Sequence, residues 1–392
     1  MFIGHGAERS GPPIHLARFQ RWIAAESDLS FATVLTRGGP LLDDLRAIAP
    51  VRVLDQRWTL ARITQQGLAR AGATRVGAGV SNVRERWALR NWRHAPLVYI
   101  NTVSPETVRM LPRLPADSAV LTHVHEMEAA LRYTIDPSLR QLLFDRTTRW
   151  VAVSNAVAEN LVDRHGIDPS RIVVHHGIVE PVARPSGEQR VQARQELGLP
   201  PDAFVVGASG MTEWRKAPDL FVRLAADVRR LTERPVCFVW VGGATSGPEW
   251  WPLDHEARHL GVADTVRFVG MQEDPGSWFG AFDVFAVMAR EDAFPLAALE
   301  AASAAVPIVS FDTGGTVELV AASGGAGIIV PYPDTEQFAQ AILALAADPG
   351  RCSAMGEQLA THVRTHHLVE IGAPPLLDTV RAVLAQGPTR RA

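Results

Sequence analysis

Residues 204–219 read FVVGASGMTEWRKAPD. Phe204–Ser209 is a short apolar, β-branched run, the composition of a strand buried on both faces. A glycine turn follows, and Pro218 suits the first turn of a helix whose apolar spacing runs to Arg230. Strand, turn and helix make one βα unit. Arg215 and Lys216 stand side by side just before the helix, where two cations beside free helix N–H groups suit an anion such as a diphosphate. Lys216 is the single lysine among 39 basic residues, the other 38 being arginine. A lone lysine marks a place where a compact ammonium serves and a planar guanidinium does not.

The same alternation extends on both sides. Downstream, strands are expected at Val236–Val241, Val266–Val269, Val284–Val287, Ile308–Phe311 and Gly327–Val330. Helical patterns at Trp251–Leu260, Pro295–Ala304, Thr316–Ala322 and Glu336–Ala346 lie between or after them, and 351–386 reads as helix. Upstream, residues 181–202 carry four prolines around a polar helical stretch and read as an interdomain connection. Before it, strands are expected at Met1–His5, Phe31–Thr36, Val51–Leu54, Leu97–Asn101, Val120–His123, Trp150–Val153 and Ile172–His175. Helices are expected at Ile14–Ala25, Pro137–Phe144 and Ala156–Arg164. Buried strands joined by helices give a mainly parallel sheet. The fold class is α/β: two Rossmann-like domains facing across a cleft, with ligands at the carboxyl ends of the strands.

Composition narrows the classes. The chain has 392 residues, 47% hydrophobic and 21% charged, which is ordinary for a globular protein of two or three domains. With 39 basic and 42 acidic residues the net charge is -3, so no basic field favours nucleic acid. Cys237 and Cys352 stand in unrelated contexts without a metal spacing, which fits a reducing compartment. No apolar run reaches membrane-spanning length, and no leader pattern opens the chain. A cytoplasmic, soluble protein is expected.

Four further loops carry candidate chemistry. Gly4–Ile14 reads GHGAERSGPPI, a strand–glycine turn–helix cradle around Gly6; Gly11 comes five residues later, so no dinucleotide fingerprint is met. Arg290–Ala301 reads REDAFPLAALEA, with Asp292 and Glu300 eight apart. Asp292 falls before a helix and Glu300 inside it, with open N–H groups near Leu296 and Ala297. Phe311–Val320 places Gly314, Gly315 and Glu318 at a strand–helix junction, and by itself reads as a plain turn. Thr122–Glu128 reads THVHEME; His123 and His125 share one face at a strand end. They suit either a metal pair, completed by His175 and His176, or one substrate-binding histidine beside structural ones.

Together these motifs resemble the retaining, nucleotide-sugar-dependent glycosyltransferases of the GT-B fold. The group (glycosyltransferase family 4-like, group 1) includes bacterial mannosyl-, glucosyl- and rhamnosyltransferases of polysaccharide and glycoconjugate biosynthesis. The resemblance covers nearly the whole chain and is strongest from Phe204 to Val330. It implies an acceptor domain over 1–182, a donor domain over 183–365, and a C-terminal helix over 366–392 returning toward the first. It implies transfer of a hexose or deoxyhexose from a UDP-, GDP- or dTDP-sugar to a glycan, lipid-linked or small-molecule acceptor, without a cofactor or metal.

The implied roles fall on named residues. Lys216 matches the family's diphosphate lysine. Asp292 matches an acid that holds donor-sugar hydroxyls, usually Glu, and adjacent Glu291 compensates for the missing methylene. Glu300 matches the ribose acid. Phe294, Pro295, Leu296 and Ala297 lie in the same donor motif. Many relatives carry an arginine where this chain has Met211, and Arg215 stands in for it. His125 matches a histidine on the sugar side, Gly6 the turn near the donor phosphates, and Gly270 with Met271 the segment near the base. His125, Asp292 and Lys216 form the implied catalytic set.

Two other readings remain open. One is a non-catalytic GT-B-like protein that binds a nucleotide sugar. The other is a metal-dependent hydrolase using His123, His125, His175 and His176. Arg84, Arg86, Arg90 and Arg93 interleave with Trp87, Leu89 and Trp92, a basic aromatic face suited to peripheral contact at the inner membrane face.

Overall fold

The computed structural model describes residues 1–54, 94–272 and 276–386. The chain forms two compact units, Met1–His175 with Ala373–Ala392, and His176–Gly372. Each is built on a parallel sheet.

Among the described residues the first unit has seven strands: β1 (Phe2–Gly4), β2 (Thr33–Leu35), β3 (Val51–Val53), β4 (Leu97–Asn101), β5 (Ala119–Val124), β6 (Arg149–Ala152) and β7 (Ile172–Val174). Their order is β3-β2-β1-β4-β5-β6-β7, all parallel. The order reverses between β1 and β4, so the loops leaving these two strands diverge and open a crevice at their carboxyl ends. The helix Gly11–Glu26 follows the β1 loop, with proline in its first turn.

Among its described residues the second unit has six strands: β8 (Phe204–Ser209), β9 (Val236–Val241), β10 (Val266–Gly270), β11 (Val284–Val287), β12 (Ile308–Phe311) and β13 (Gly327–Val330). The order is β10-β9-β8-β11-β12-β13, again parallel. Here the reversal lies between β8 and β11. All six residues of β9 are buried, as a strand covered on both faces requires. The helix Pro218–Leu231 turns Phe221, Val222, Leu224, Ala225 and Val228 onto the sheet. Phe221 meets Phe238 and Trp240 edge to face, at 5.5 and 5.4 Å between ring centroids.

The helical stretch expected in the proline-rich connection is Gly187–Glu196, held in the second unit: Arg190 and Arg194 both pair with Asp283, the latter at 2.6 Å. One sequence expectation changes. The helix expected over 351–386 is two, Pro349–His366 and Val369–Ala385. The break follows from a bridge to Val179, whose N–H donates to the His367 carbonyl (2.9 Å) and whose carbonyl accepts from the Val369 N–H (3.1 Å). No helix among the described residues is long and apolar enough to cross a membrane.

Candidate functional site

The sheet order of the second unit decides which loops meet. β8 and β11 are neighbours at the reversal, so the segment after Ser209 and the segment after Val287 lie side by side. After β8 the chain makes a short 3-10 turn, Trp214–Lys216, and Ala217 adopts the left-handed conformation (φ 59°) before the helix opens at Pro218. A non-glycine residue held there carries about 1–3 kcal/mol of strain. The turn delivers the Lys216 ammonium onto the Asp292 carboxylate, and the two side chains are 18% and 8% exposed.

Other bonds tie the same loops. Arg215 Nη1 donates to the Glu291 carbonyl (3.2 Å) and Nη2 to the Glu213 carboxylate (2.8 Å). The Arg290 N–H donates to the Arg215 carbonyl (2.8 Å). Arg290 forks onto Asp219 at 2.9 and 2.6 Å and lies 5.2 Å from the Trp214 ring centroid. The sequence reading missed Arg290, whose role depends on Asp219 and Trp214 from another motif.

The loop after β12 adds the third wall. Gly314 has φ +64°, and a Cβ there would stand 1.8 Å from the Asp292 carbonyl oxygen, so only glycine fits. The Gly315 N–H donates to that same carbonyl (3.1 Å), and Thr313 Oγ1 donates to the Ala289 carbonyl (2.7 Å). The motif that reads alone as a plain turn therefore fixes the backbone of Asp292. Its Glu318 pairs with His176 Nε2 at 3.1 Å. His176 and His367 both pack on Phe294, at 4.8 and 5.6 Å between centroids. Burial, then the neighbouring His176 and His362, hold the His367 imidazole down to about 3.

Leu296–Ser303 is a helix with Pro295 at its N-cap, and among the described residues no side chain caps it. The Pro295 carbonyl takes the N–H groups of Ala298 and Leu299 (3.1 and 3.3 Å), while those of Leu296 and Ala297 are the first-turn donors that no helical carbonyl takes. Glu300, inside this helix, is 9% exposed rather than solvent-facing. Gly270 ends β10 with φ +73°, its carbonyl accepts from the Gly242 N–H (2.8 Å), and the next side chain, Met271, is exposed. Lys216, Arg215, Glu291, Asp292, Phe294 and Pro295 thus share one constellation at the reversal.

In the first unit Gly6 sits in the turn after β1, with the Glu8 carboxylate folded over it. His125 follows β5, and its Nε2 lies 3.3 Å from Asn101 Oδ1. Glu126 was not singled out by sequence. Its carboxylate accepts from Thr102 Oγ1 (2.9 Å) and the N–H groups of Val103 (3.0 Å) and His125 (2.9 Å). It clips the ends of β4 and β5 together and holds Thr102 left-handed, at φ 87°.

The four histidines expected for a metal hydrolase do not assemble. His175 bonds Thr379 Oγ1 (2.8 Å), and His176 belongs to the second unit. His15 joins His123 and His125 instead. The Arg84–Arg93 face lies outside the described residues. A cavity of about 470 Å³ opens beside Arg190, Arg194 and Asp283. It lies at the amino ends of the second sheet, away from the end where ligands of such sheets bind.

Residues 201–348 match the family described as Glycosyl transferases group 1. The chain is 32% identical over 266 residues to a D-inositol 3-phosphate glycosyltransferase of Streptomyces bingchenggensis, covering 64% of this chain and 58% of that one. It is 35% identical over 226 residues to a second such protein from Catenulispora acidiphila, covering 56% and 52%. The chain thus spans little more than half the length of these curated relatives. In structure it resembles Anabaena HepE in complex with UDP-glucose, with a TM-score of 0.78 at 17% identity over 97% of this chain and 100% of that one. Sucrose-phosphate synthase of Thermosynechococcus elongatus gives 0.75 at 16% identity over 98% and 100%.

Proposed function

We propose that this chain, which matches the group 1 glycosyltransferases over residues 201–348 and has the GT-B fold, moves a hexose or deoxyhexose from a nucleotide-diphosphate sugar to an acceptor hydroxyl, with retention. The observation that carries the reading is the Lys216–Asp292 pair at the strand-order reversal of the second unit, beside Arg215 and an uncapped helix start.

In this reading the donor C–O bond breaks as negative charge grows on the leaving diphosphate. Lys216 has three N–H donors; one on Asp292 leaves two for phosphate oxygens. Arg215 and the N–H groups of Leu296 and Ala297 add to them, neutralising the charge without a metal at the diphosphate. Asp292, with Glu291, holds sugar hydroxyls, and its pairing with Lys216 ties sugar position to phosphate position. Glu300 takes the ribose hydroxyls, and Gly270 and Met271 lie along the base. The acceptor oxygen attacks the same face that the diphosphate leaves, and its proton passes to the departing phosphate oxygen.

A UDP-sugar is the first donor to test, since HepE is described with UDP-glucose, and GDP- and dTDP-sugars follow. The relatives' names favour a small phosphorylated polyol as acceptor over a glycan or lipid-linked one. We place the protein in the cytoplasm, where nucleotide sugars are made.

The test is a melting-temperature panel of UDP, GDP, dTDP, ADP and CDP on wild type and Lys216→Ala, followed by transfer with the matching sugar nucleotide. One nucleotide should raise the melt of wild type and not of the variant, and its sugar should reach an acceptor with the anomeric configuration kept. Five nucleotides without effect would sink the reading.

A further inference from the structure

Three imidazoles from separate stretches of sequence meet inside the first unit. His15 lies on the helix Gly11–Glu26, His123 in β5 and His125 just beyond it; one ring nitrogen from each lies within 4.8 Å of the other two. The ring centroids stand 4.2 Å apart for His123 and His125, 5.0 Å for His15 and His123, and 5.3 Å for His15 and His125. His15 and His123 are 1% and 0% exposed.

Neighbouring groups decide which nitrogens face the cluster. Asn101 Nδ2 donates to the Pro12 carbonyl (3.0 Å), which turns Asn101 Oδ1 toward His125 Nε2 at 3.3 Å. An amide oxygen only accepts, so Nε2 of His125 carries the proton and Nδ1 the lone pair. The Tyr99 hydroxyl and His123 Nδ1 share a 2.5 Å hydrogen bond. Among the described residues that leaves His123 Nε2 buried without a partner, as are both ring nitrogens of His15. A buried polar atom left so costs about 1–3 kcal/mol, which is an unusual expense to repeat three times in one place.

We propose that His15, His123 and His125 bind a single divalent transition-metal ion, with zinc the natural occupant. Three imidazoles form an established kind of zinc set with one position left open, and imidazole suits zinc over magnesium or calcium. At Zn–N distances of about 2.0–2.1 Å, a tetrahedral site spaces its nitrogens by roughly 3.3 Å, so the rings need shift by only about 1 Å. Tyr99 and Asn101 are the outer partners that orient such rings.

The site lies on the unit that does not carry Lys216 and Asp292. Ion binding there uses none of Lys216, Arg215, Asp292 or Glu300 and does not depend on the transfer reading. Where the ion is bound, both ring nitrogens of His125 are engaged.

The experiment uses the full, untagged chain, stripped with chelator, desalted and titrated with cobalt(II) chloride. We expect a visible absorption band of four-coordinate cobalt that saturates at about one equivalent and is displaced by zinc. Competition against a chromophoric chelator should show zinc affinity lowered at least tenfold to a hundredfold in His15→Ala, and about tenfold in Tyr99→Phe. The metal-free melts of these variants are recorded alongside. Wild type needs no refolding, so its failure to take up one equivalent of either ion would overturn the site, as would unchanged zinc affinity in folded His15→Ala. Nucleotide binding, lost in Lys216→Ala, reports on the transfer reading separately.

Discussion

Lys216 and Asp292 lie 76 positions apart in sequence, yet ammonium and carboxylate pair directly at the strand-order reversal of the second unit. Removing either partner leaves the other charge largely buried. Lys216→Ala and Asp292→Asn should each slow transfer by about 10²–10³-fold, the usual loss for one preorganised charge partner. Lys216→Arg should not rescue it, because a planar guanidinium cannot take the place of the ammonium in that turn. Steady-state kinetics on the three variants decide this; full activity in Lys216→Arg would show that charge alone matters.

Gly314→Ala places a methyl group on the Asp292 carbonyl at a left-handed backbone position. The left-handed penalty alone is about 1–2 kcal/mol, and the overlap adds to it. The melt should fall by at least roughly 4 °C, with transfer reduced further than stability explains, because Asp292 must move. An unchanged melt would refute the close approach.

His367 gives the second unit an acid sensitivity. Its imidazole titrates near 3 when folded and near the ordinary 6.5 when unfolded, so the unfolded chain takes up the proton first as pH falls. Stability is full above about pH 6.5 and declines toward pH 3, by about 1.4 kcal/mol per pH unit for this group. His176, His362 and His366 face it. Urea unfolding at pH 7.5 and 5.0 should show a smaller acid loss in His367→Phe than in wild type. Equal losses would mean that His367 is already protonated in the fold.

Glu300→Gln should raise the KM for the sugar nucleotide about tenfold, roughly 1.4 kcal/mol, with kcat nearly unchanged, as loss of uniform binding does. A 2′-deoxyribose donor should show the same loss on wild type and little further loss on the variant. Additive losses would take Glu300 away from the ribose.

The strands were legible because each is a short apolar run between turn residues, and β8 through β13 fall where composition puts them. Lys216 and Asp292 were legible as members of motifs. Their meeting was not, since it depends on β8 pairing with β11 across β9, β10 and the helices between them. Gly314 looked ordinary because its constraint is the carbonyl of a residue in another loop. His15 was passed over because one histidine on an amphipathic helix gives no periodic signal, and its neighbours come from β5. The break after His366 was hidden for a similar reason: the backbone partner at Val179 is far away in sequence.

The last helix has a consequence for synthesis. The first unit is discontinuous, Met1–His175 being completed by the chain from Ala373 on, and Ala373, Leu376, Leu377, Val380 and Val383 are buried. A ribosome makes the whole second unit before the first receives that part of its core. At about 5–20 residues per second, the earlier half waits tens of seconds with apolar surface uncovered, a target for chaperones throughout that interval. The second unit is contiguous and meets no such delay. The order of completion on the ribosome is the reverse of the order along the chain.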